Sequence, residues 1–171
     1  MEAGPAAKDW VQTLMSSVMR RKLSNRSKET GVLKIMSACG VLCSDCPAYL
    51  GSAKGLAHQK RTAEAWRRIY GRPEAPREIT CGGCLSPDDR VFYTCRACKA
   101  RRCCRESGYS SCAECSVTTC PDLEKAQSVW DGVPEIGKTL SPRDFILYAE
   151  PYCNHRRRLE GARMEPALSP K

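Results

Sequence analysis

The sequence has little from which to build an ordinary apolar core. Leu, Ile, Val and Phe together number 27 of 171 residues, and only two of these are Phe. That is below the roughly 20% at which a chain of high net charge begins to look disordered. No apolar run approaches the roughly 18 residues of a membrane-spanning helix, so no transmembrane segment is expected. The chain is also shorter than the roughly 200 residues that a large enzyme barrel needs. There are two histidines, His58 and His155; the first sits among Lys and Gln on the surface of an expected helix, and the second follows Cys153 by two positions. Neither a Gly-x-Gly-x-x-Gly turn nor a phosphate loop is present, and the acidic residues are scattered without a general acid–base pair. No catalytic residues are therefore expected, and an enzyme is not the favoured reading. The opening segment MEAGPAAKDWVQTLMSSVMRRK has no apolar stretch after a basic start, which predicts no secretory signal and a cytoplasmic location.

What the chain has instead is cysteine, 13 residues in all. In a reducing cytosol structural disulfides rarely persist, and an odd number would leave one thiol over. A chain short of apolar residues can still fold if its cysteines bind metal. The spacing supports this. Cys39-x3-Cys43-x2-Cys46 comes first, and Cys81-x2-Cys84 is a tight CGGC knuckle. Cys95-x2-Cys98-x4-Cys103 follows, and Cys112-x2-Cys115-x4-Cys120 repeats it 17 residues later. Two intervening residues make a turn that points both sulfurs at one ion, with backbone N–H groups free to donate to the thiolates. Four sulfurs at about 2.3 Å then complete a tetrahedron around zinc. Two closed all-cysteine sites use eight ligands and three need twelve, so two or three zinc ions are expected. The rival is an iron–sulfur cluster: Cys-x3-Cys-x2-Cys suits three ligands of a cubane, and Cys46-Pro47 and Cys120-Pro121 match the Cys-Pro of ferredoxin-type ligation.

Three segments follow from the pattern. Residues 1–36 are an N-terminal extension with an amphipathic helix from about Lys8 to Leu23, its apolar face formed by Trp10, Val11, Leu14, Met15, Val18 and Met19. That helix suits docking on the parent domain, a membrane surface or a partner. Residues 37–124 are the cysteine-rich metal-binding domain, with a helix from about Ser52 to Tyr70 that Gly71 and Pro73 stop. Residues 125–171 are a C-terminal helical tail. Pro121 to Trp130 suits a short helix and Asp131 to Leu140 a loop. Ser141-Pro142-Arg143-Asp144 is a helix start, and a further helix through HRRRLEGAR is expected from about Pro151. The fold class expected is small, irregular and metal-stabilised, either α+β or mainly α, with zinc knuckles or ribbon-like turns and a few flanking helices.

The ordered motifs CGVLCSDCPAY, CGGC, RVFYTCRACKARRC and GYSSCAECSVTTCPDLE, from about Ala38 to Glu124, resemble the prokaryotic cysteine-rich family called domain of unknown function 3795. The resemblance implies a small cysteine-rich protein that binds zinc, and it implies no reaction. Its motif carries over onto Cys39, Cys43, Cys46, Cys81, Cys84, Cys95, Cys98, Cys103, Cys112, Cys115 and Cys120. Cys104 stands where a small apolar residue is expected, and its role stays open. Cys39, Cys43 and Cys46 lack an obvious fourth ligand. Either Cys153 or His155 folds back to supply it, or these three share a site with the CGGC knuckle.

The net charge of +9 is uneven: +7 over residues 1–80, +2 over 81–120 and zero over 121–171. A zinc site of four thiolates carries two negative charges, so part of the basic excess compensates for thiolates. The remainder suits nucleic acid, with Arg96, Lys99, Arg101, Arg102 and Arg105 along phosphates and Phe92, Tyr93 and Tyr109 stacking on bases. The function expected is a metal-binding, structural or protein-interaction module. An iron–sulfur redox protein and a zinc-knuckle RNA- or DNA-binding protein are the alternatives.

Overall fold

The computed structural model describes residues 34–164, with the backbone alone at 52 and 53. The helix expected between Lys8 and Leu23 lies outside the described residues. Within them the architecture is helical. One isolated antiparallel bridge, Met36 to Leu42, stands in place of a sheet, so of the two expected classes the mainly α one holds. The chain is poor in the β-branched and aromatic residues that favour pleated sheets. None of the described helices is long and apolar enough to cross a membrane.

Helix α1 spans Pro47–Tyr70 and is broken at Gly55, which takes φ 73° and ψ −174°. It begins five residues earlier than its periodicity suggests. Pro47 occupies the first turn, where a missing N–H costs nothing, and Cys46 is the N-cap. It ends as expected at Gly71, a left-handed C-cap whose N–H bonds Arg67 O at 3.1 Å. Helix α2 is Lys99–Ser107, α3 Pro121–Ser128 and α4 Val133–Gly137. The last of these replaces the loop expected over 131–140, because Pro134 falls in a first turn that tolerates it. Helix α5, Pro142–Asp144, starts as the sequence suggests: Ser141 Oγ accepts from Asp144 N at 3.1 Å. It passes directly into a π-helical turn, Phe145–Ala149. Helix α6, His155–Met164, starts later than Pro151, after Asn154 at φ 56°.

Two thin cores result. One packs Ala38, Val41, Ala100, Leu123, Val133, Ala149, Tyr152 and Leu159 together with Cys39, Cys104, Cys112 and Cys153. The other packs Ala48, Ala63, Ala65, Trp66, Ile79, Val91, Phe92 and Tyr148 with Cys81. Cys46 borders both. Most of these side chains are small, so apolar burial, at about 25 cal/mol per Å², supplies less than in a Leu- and Phe-rich core.

Polar clamps fasten the C-terminal helices to the cysteine-bearing segments. Tyr70 Oη donates to Tyr148 O at 2.6 Å, and Arg68 pairs with Asp144 at 2.8 Å. Arg156 reaches both carboxylate oxygens of Glu124 at 2.7 Å and those of Asp131 at 3.0 and 2.9 Å. Arg158 donates to Gly40 O at 2.5 Å and to the carbonyls of Glu150 and Cys153. Gly40 has φ 96°, and a Cβ there would overlap the His155 carbonyl, so glycine is required at this close approach of backbones.

Candidate metal centre

The Cys-x2-Cys pairs are tight turns. Cys46 N donates to Cys43 O and Cys98 N to Cys95 O, each at 3.1 Å, and Cys115 N to Cys112 O at 3.4 Å. In each, the turn brings the two cysteines back to one side of the chain. In the CGGC knuckle the amides of Gly83 and Phe92 donate to Cys81 Sγ at 3.3 and 3.4 Å. Gly83 reaches this position with φ 99°. Three of these cysteines, Cys46, Cys98 and Cys120, are the N-caps of α1, α2 and α3 respectively. Pro47 and Pro121 then open their helices, the position at which a missing N–H costs nothing.

Seven sulfurs from three separate groups are linked by electrostatic interactions. Cys43 couples to Cys84, Cys46 and Cys81. Cys84 couples to Cys39, Cys95 and Cys98, and Cys95 to Cys81, Cys46 and Cys98. The first group thus sits beside the CGGC knuckle and the Cys95–Cys98 turn. Burial first, and then the repulsion between neighbouring thiolates, push Cys84 and Cys95 up to about 12. The same two causes raise Cys43, and burial raises Cys39 and Cys46. Backbone amides act in the opposite direction. The amide of Cys84 favours the Cys43 thiolate, that of Ala38 favours Cys84, and those of Ala48 and Tyr49 at the start of α1 favour Cys46. Thiols so placed stay protonated unless a cation replaces the proton. Among the described residues no three His, Cys, Asp or Glu side chains converge closely enough to form a finished metal cage. The arrangement is a set of neighbouring thiols with amides directed at them.

Residues outside the spacing motif hold this set in place. Arg101, 1% exposed, extends from α2 to the CGGC loop. Its Nε donates to Cys84 O at 2.5 Å, one terminal nitrogen donates to Ser86 O and the other pairs with Asp88 at 2.6 Å. Gln127 Nε2 donates to Cys39 O at 3.2 Å. The tail does fold back on the first group, but the side chain that meets it is Tyr152, whose hydroxyl lies 3.3 Å from Cys46 Sγ. His155 is buried instead against Asp131, with Nε2 3.5 Å from Oδ1, and its Nδ1 lies 2.9 Å from Tyr152 O. Cys153 is buried beside Tyr70 and Arg158. Nothing in the spacing pointed to Tyr152 or Arg101. The signal available was an aromatic flanking Pro151 and an arginine on the same helical face as Ala100.

The remaining cysteines divide differently. Cys104 and Cys112 are buried with sulfurs 3.4 Å apart, whereas Cys103 is exposed. Cys115 and Cys120 are half-buried. Of the side chains suited to nucleic acid, Phe92 is buried edge-on against Trp66 at 5.5 Å, and Arg101 is buried as described; neither can reach a base or phosphate. Tyr93 is exposed, but its hydroxyl donates to Glu74 at 3.1 Å. Glu74 also accepts from Arg72 at 2.5 Å, and the Arg72 guanidinium lies over the Trp66 and Phe92 rings. Arg96, Lys99, Arg102 and Arg105 remain at the surface. His58 is half-buried on α1, with Nε2 3.2 Å from Pro47 O.

A family model described as a protein of unknown function, DUF3795, matches residues 35–125, just over half of the chain. No curated protein and no solved structure matches.

Proposed function

We propose, from the premise that the chain belongs to the DUF3795 family, that it is a metal-binding protein whose buried thiolates hold zinc and whose role is structural or protein-interacting. The observation that carries this reading is the direction of the amides. Cys43, Cys46, Cys81 and Cys84 each have backbone N–H groups turned toward a buried sulfur, several from a different segment. Amides so directed stabilise thiolates, and a thiolate is the form that binds metal. Seven donors serve two tetrahedral ions when one sulfur bridges. Seven thiolates with two divalent ions leave three negative charges, and Arg101 and Arg158 stand beside them to offset part of that charge. A closed zinc site contributes folding free energy outright, which suits a chain with cores as thin as these. A reducing cytoplasm keeps all thirteen thiols free for such a role.

Elemental analysis of the protein purified without oxygen tests the reading. Two or three zinc ions per chain support it. Iron with labile sulfide replaces zinc by an iron–sulfur cluster on the same thiols. A metal-free protein with a cooperative thermal transition overturns it.

A further inference from the structure

We propose that Cys104 and Cys112 are a dithiol pair that hydroperoxides convert reversibly to a disulfide, a modification site separate from the metal-binding thiols. The pair lies outside the seven linked sulfurs, and Cys104 lies outside the spacing pattern: the residue 17 positions after it is Pro121, not a cysteine. The two sulfurs are 3.4 Å apart and each is a hydrogen-bonding partner of the other, whereas Cys81 Sγ accepts from the amides of Gly83 and Phe92. Two thiols in mutual contact, one the weak donor and the other the weak acceptor, are the starting arrangement for a sulfur–sulfur bond.

The local chain brings them together. On α2 the buried residues are Ala100, Arg101 and Cys104, one face at a spacing of three to four residues. Cys103 lies on another side, in solvent. Gly108, at φ 71°, then reverses the chain: its N–H bonds Arg105 O at 3.4 Å and Tyr109 N bonds Cys104 O at 2.9 Å, the paired bonds of a left-handed helix cap. The reversal delivers Cys112, at the start of the short turn Cys112–Glu114, back to Cys104. Ser111 Oγ fixes that turn by accepting from Ala113 N at 3.2 Å. Cys112 N donates to Ala38 O at 3.1 Å, and Arg163 donates to Cys112 O at 3.2 Å. The pair is thus held in register by segments from both ends of the described chain. A disulfide places its sulfurs about 2.05 Å apart, so the bond forms by a small approach of two side chains already in contact.

The chemistry balances with one hydroperoxide. Cys112 is 8% exposed and Cys104 1%, so Cys112 meets a small oxidant first. Its sulfur attacks one peroxide oxygen, the O–O bond breaks, and the thiol proton leaves with the departing oxygen as water or an alcohol. Cys112 becomes a sulfenic acid. The Cys104 sulfur attacks the Cys112 sulfur, the S–O bond breaks, and water departs with the Cys104 proton. The two sulfurs together give up two electrons, and the peroxide takes them. A small thiol reverses the step by attacking one sulfur of the bond to give a mixed disulfide, which a second thiol resolves.

The experiment treats the full chain, purified without oxygen, with hydrogen peroxide. Remaining thiols are then blocked in denaturant with N-ethylmaleimide, and the modified cysteines are located by peptide mass. The expected result is a bond joining Cys104 to Cys112, seen as a loss of about 2 Da and undone by dithiothreitol. The same bond should form in Cys103→Ser and be lost in Cys104→Ala and Cys112→Ala. The readouts on the unaltered chain and on Cys103→Ser decide the matter even where a buried alanine fails to fold. Cys104 and Cys112 recovered as blocked thiols after the peroxide is consumed overturn the proposal. So does a bond from Cys112 to Cys103. A folded Cys104→Ala that carries one zinc ion fewer than the unaltered protein makes Cys104 a metal ligand and overturns it as well. Metal content is measured on the same preparation. A metal-free chain that still forms the Cys104–Cys112 bond supports this inference while the proposed function fails, and a zinc-loaded chain that does not form it overturns this inference alone.

Discussion

The hydroxyl of Tyr152 lies 3.3 Å from the sulfur of Cys46, a residue 106 positions earlier. Tyr152 is 3% exposed, and its ring stacks on Trp130 at 4.5 Å and 5°. Burial and the neighbouring Cys46 sulfur hold the phenol well above its ordinary range, so it keeps its proton and has an O–H to offer the sulfur. Tyr152→Phe should preserve the ring stack and remove that donor, at a cost of about 1 kcal/mol. Tyr152→Ala also leaves a cavity and should cost about 4 kcal/mol. Urea denaturation at fixed zinc concentration separates the two. Equal losses would show that the hydroxyl contributes nothing beyond the ring.

Arg101→Met should destabilise by about 3 kcal/mol, because the carbonyls of Cys84 and Ser86 lose a buried donor. Arg101→Lys should still cost about 2 kcal/mol, since an ammonium cannot reproduce the planar fork that reaches Cys84, Ser86 and Asp88 at once. Asp88→Asn should do much less, because that carboxylate is 61% exposed. Thermal unfolding of the three variants provides the ranking. A full rescue by lysine would mean that only the charge matters.

The two glycines of positive φ beside the cysteines should respond differently to alanine. At Gly83 the nearest atom to an added Cβ is in the Tyr49 ring at 3.6 Å, so the cost is that of a left-handed backbone, about 1–2 kcal/mol. At Gly40 the same backbone penalty is joined by overlap with the His155 carbonyl, and Gly40→Ala should cost about 4 kcal/mol or more. Denaturation midpoints provide the comparison, and similar losses at the two positions would contradict it.

Withdrawing metal should unfold the protein as a unit. The thiols lie within both cores, with Cys39, Cys104 and Cys112 in one, Cys81 in the other and Cys46 bordering the two. Removing an ion that contributes on the order of 10 kcal/mol exceeds what cores of alanine and cysteine can supply. Strong chelator with reductant should abolish the cooperative calorimetric transition, and restored zinc should return it. A transition that survives chelation would show that apolar packing alone suffices.

The sequence made the turns legible and left their grouping hidden. Cys-x2-Cys encodes a local bend, and the bonds from Cys46 N to Cys43 O and from Cys98 N to Cys95 O are that bend. Helix ends were legible where a local rule sets them, at Gly71 and at Ser141. Which group lies beside which depends on the packing of α1, α2 and the tail, and no short window contains it. The spacing repeat says nothing of burial, whereas the helical period from Ala100 to Cys104 made Cys104 legible as the buried member of the Cys103–Cys104 pair. Phe92 and Arg101 looked like a surface for nucleic acid because an aromatic and a cation between cysteines have the same composition in a core as on a groove. Tyr152 was hidden for the opposite reason: a single tyrosine beside proline has no period to read.

Arg158 clasps the carbonyl of Gly40 across 118 residues, and this has a consequence for biosynthesis. Translation at 5–20 residues per second separates the emergence of these two positions by roughly 6–24 s. Throughout that interval the nascent chain carries Cys39, Cys43 and Cys46 without Arg158 or Tyr152. Ribosome-bound chains halted before residue 150 should therefore show these thiols open to alkylation, and release of the complete chain should close them.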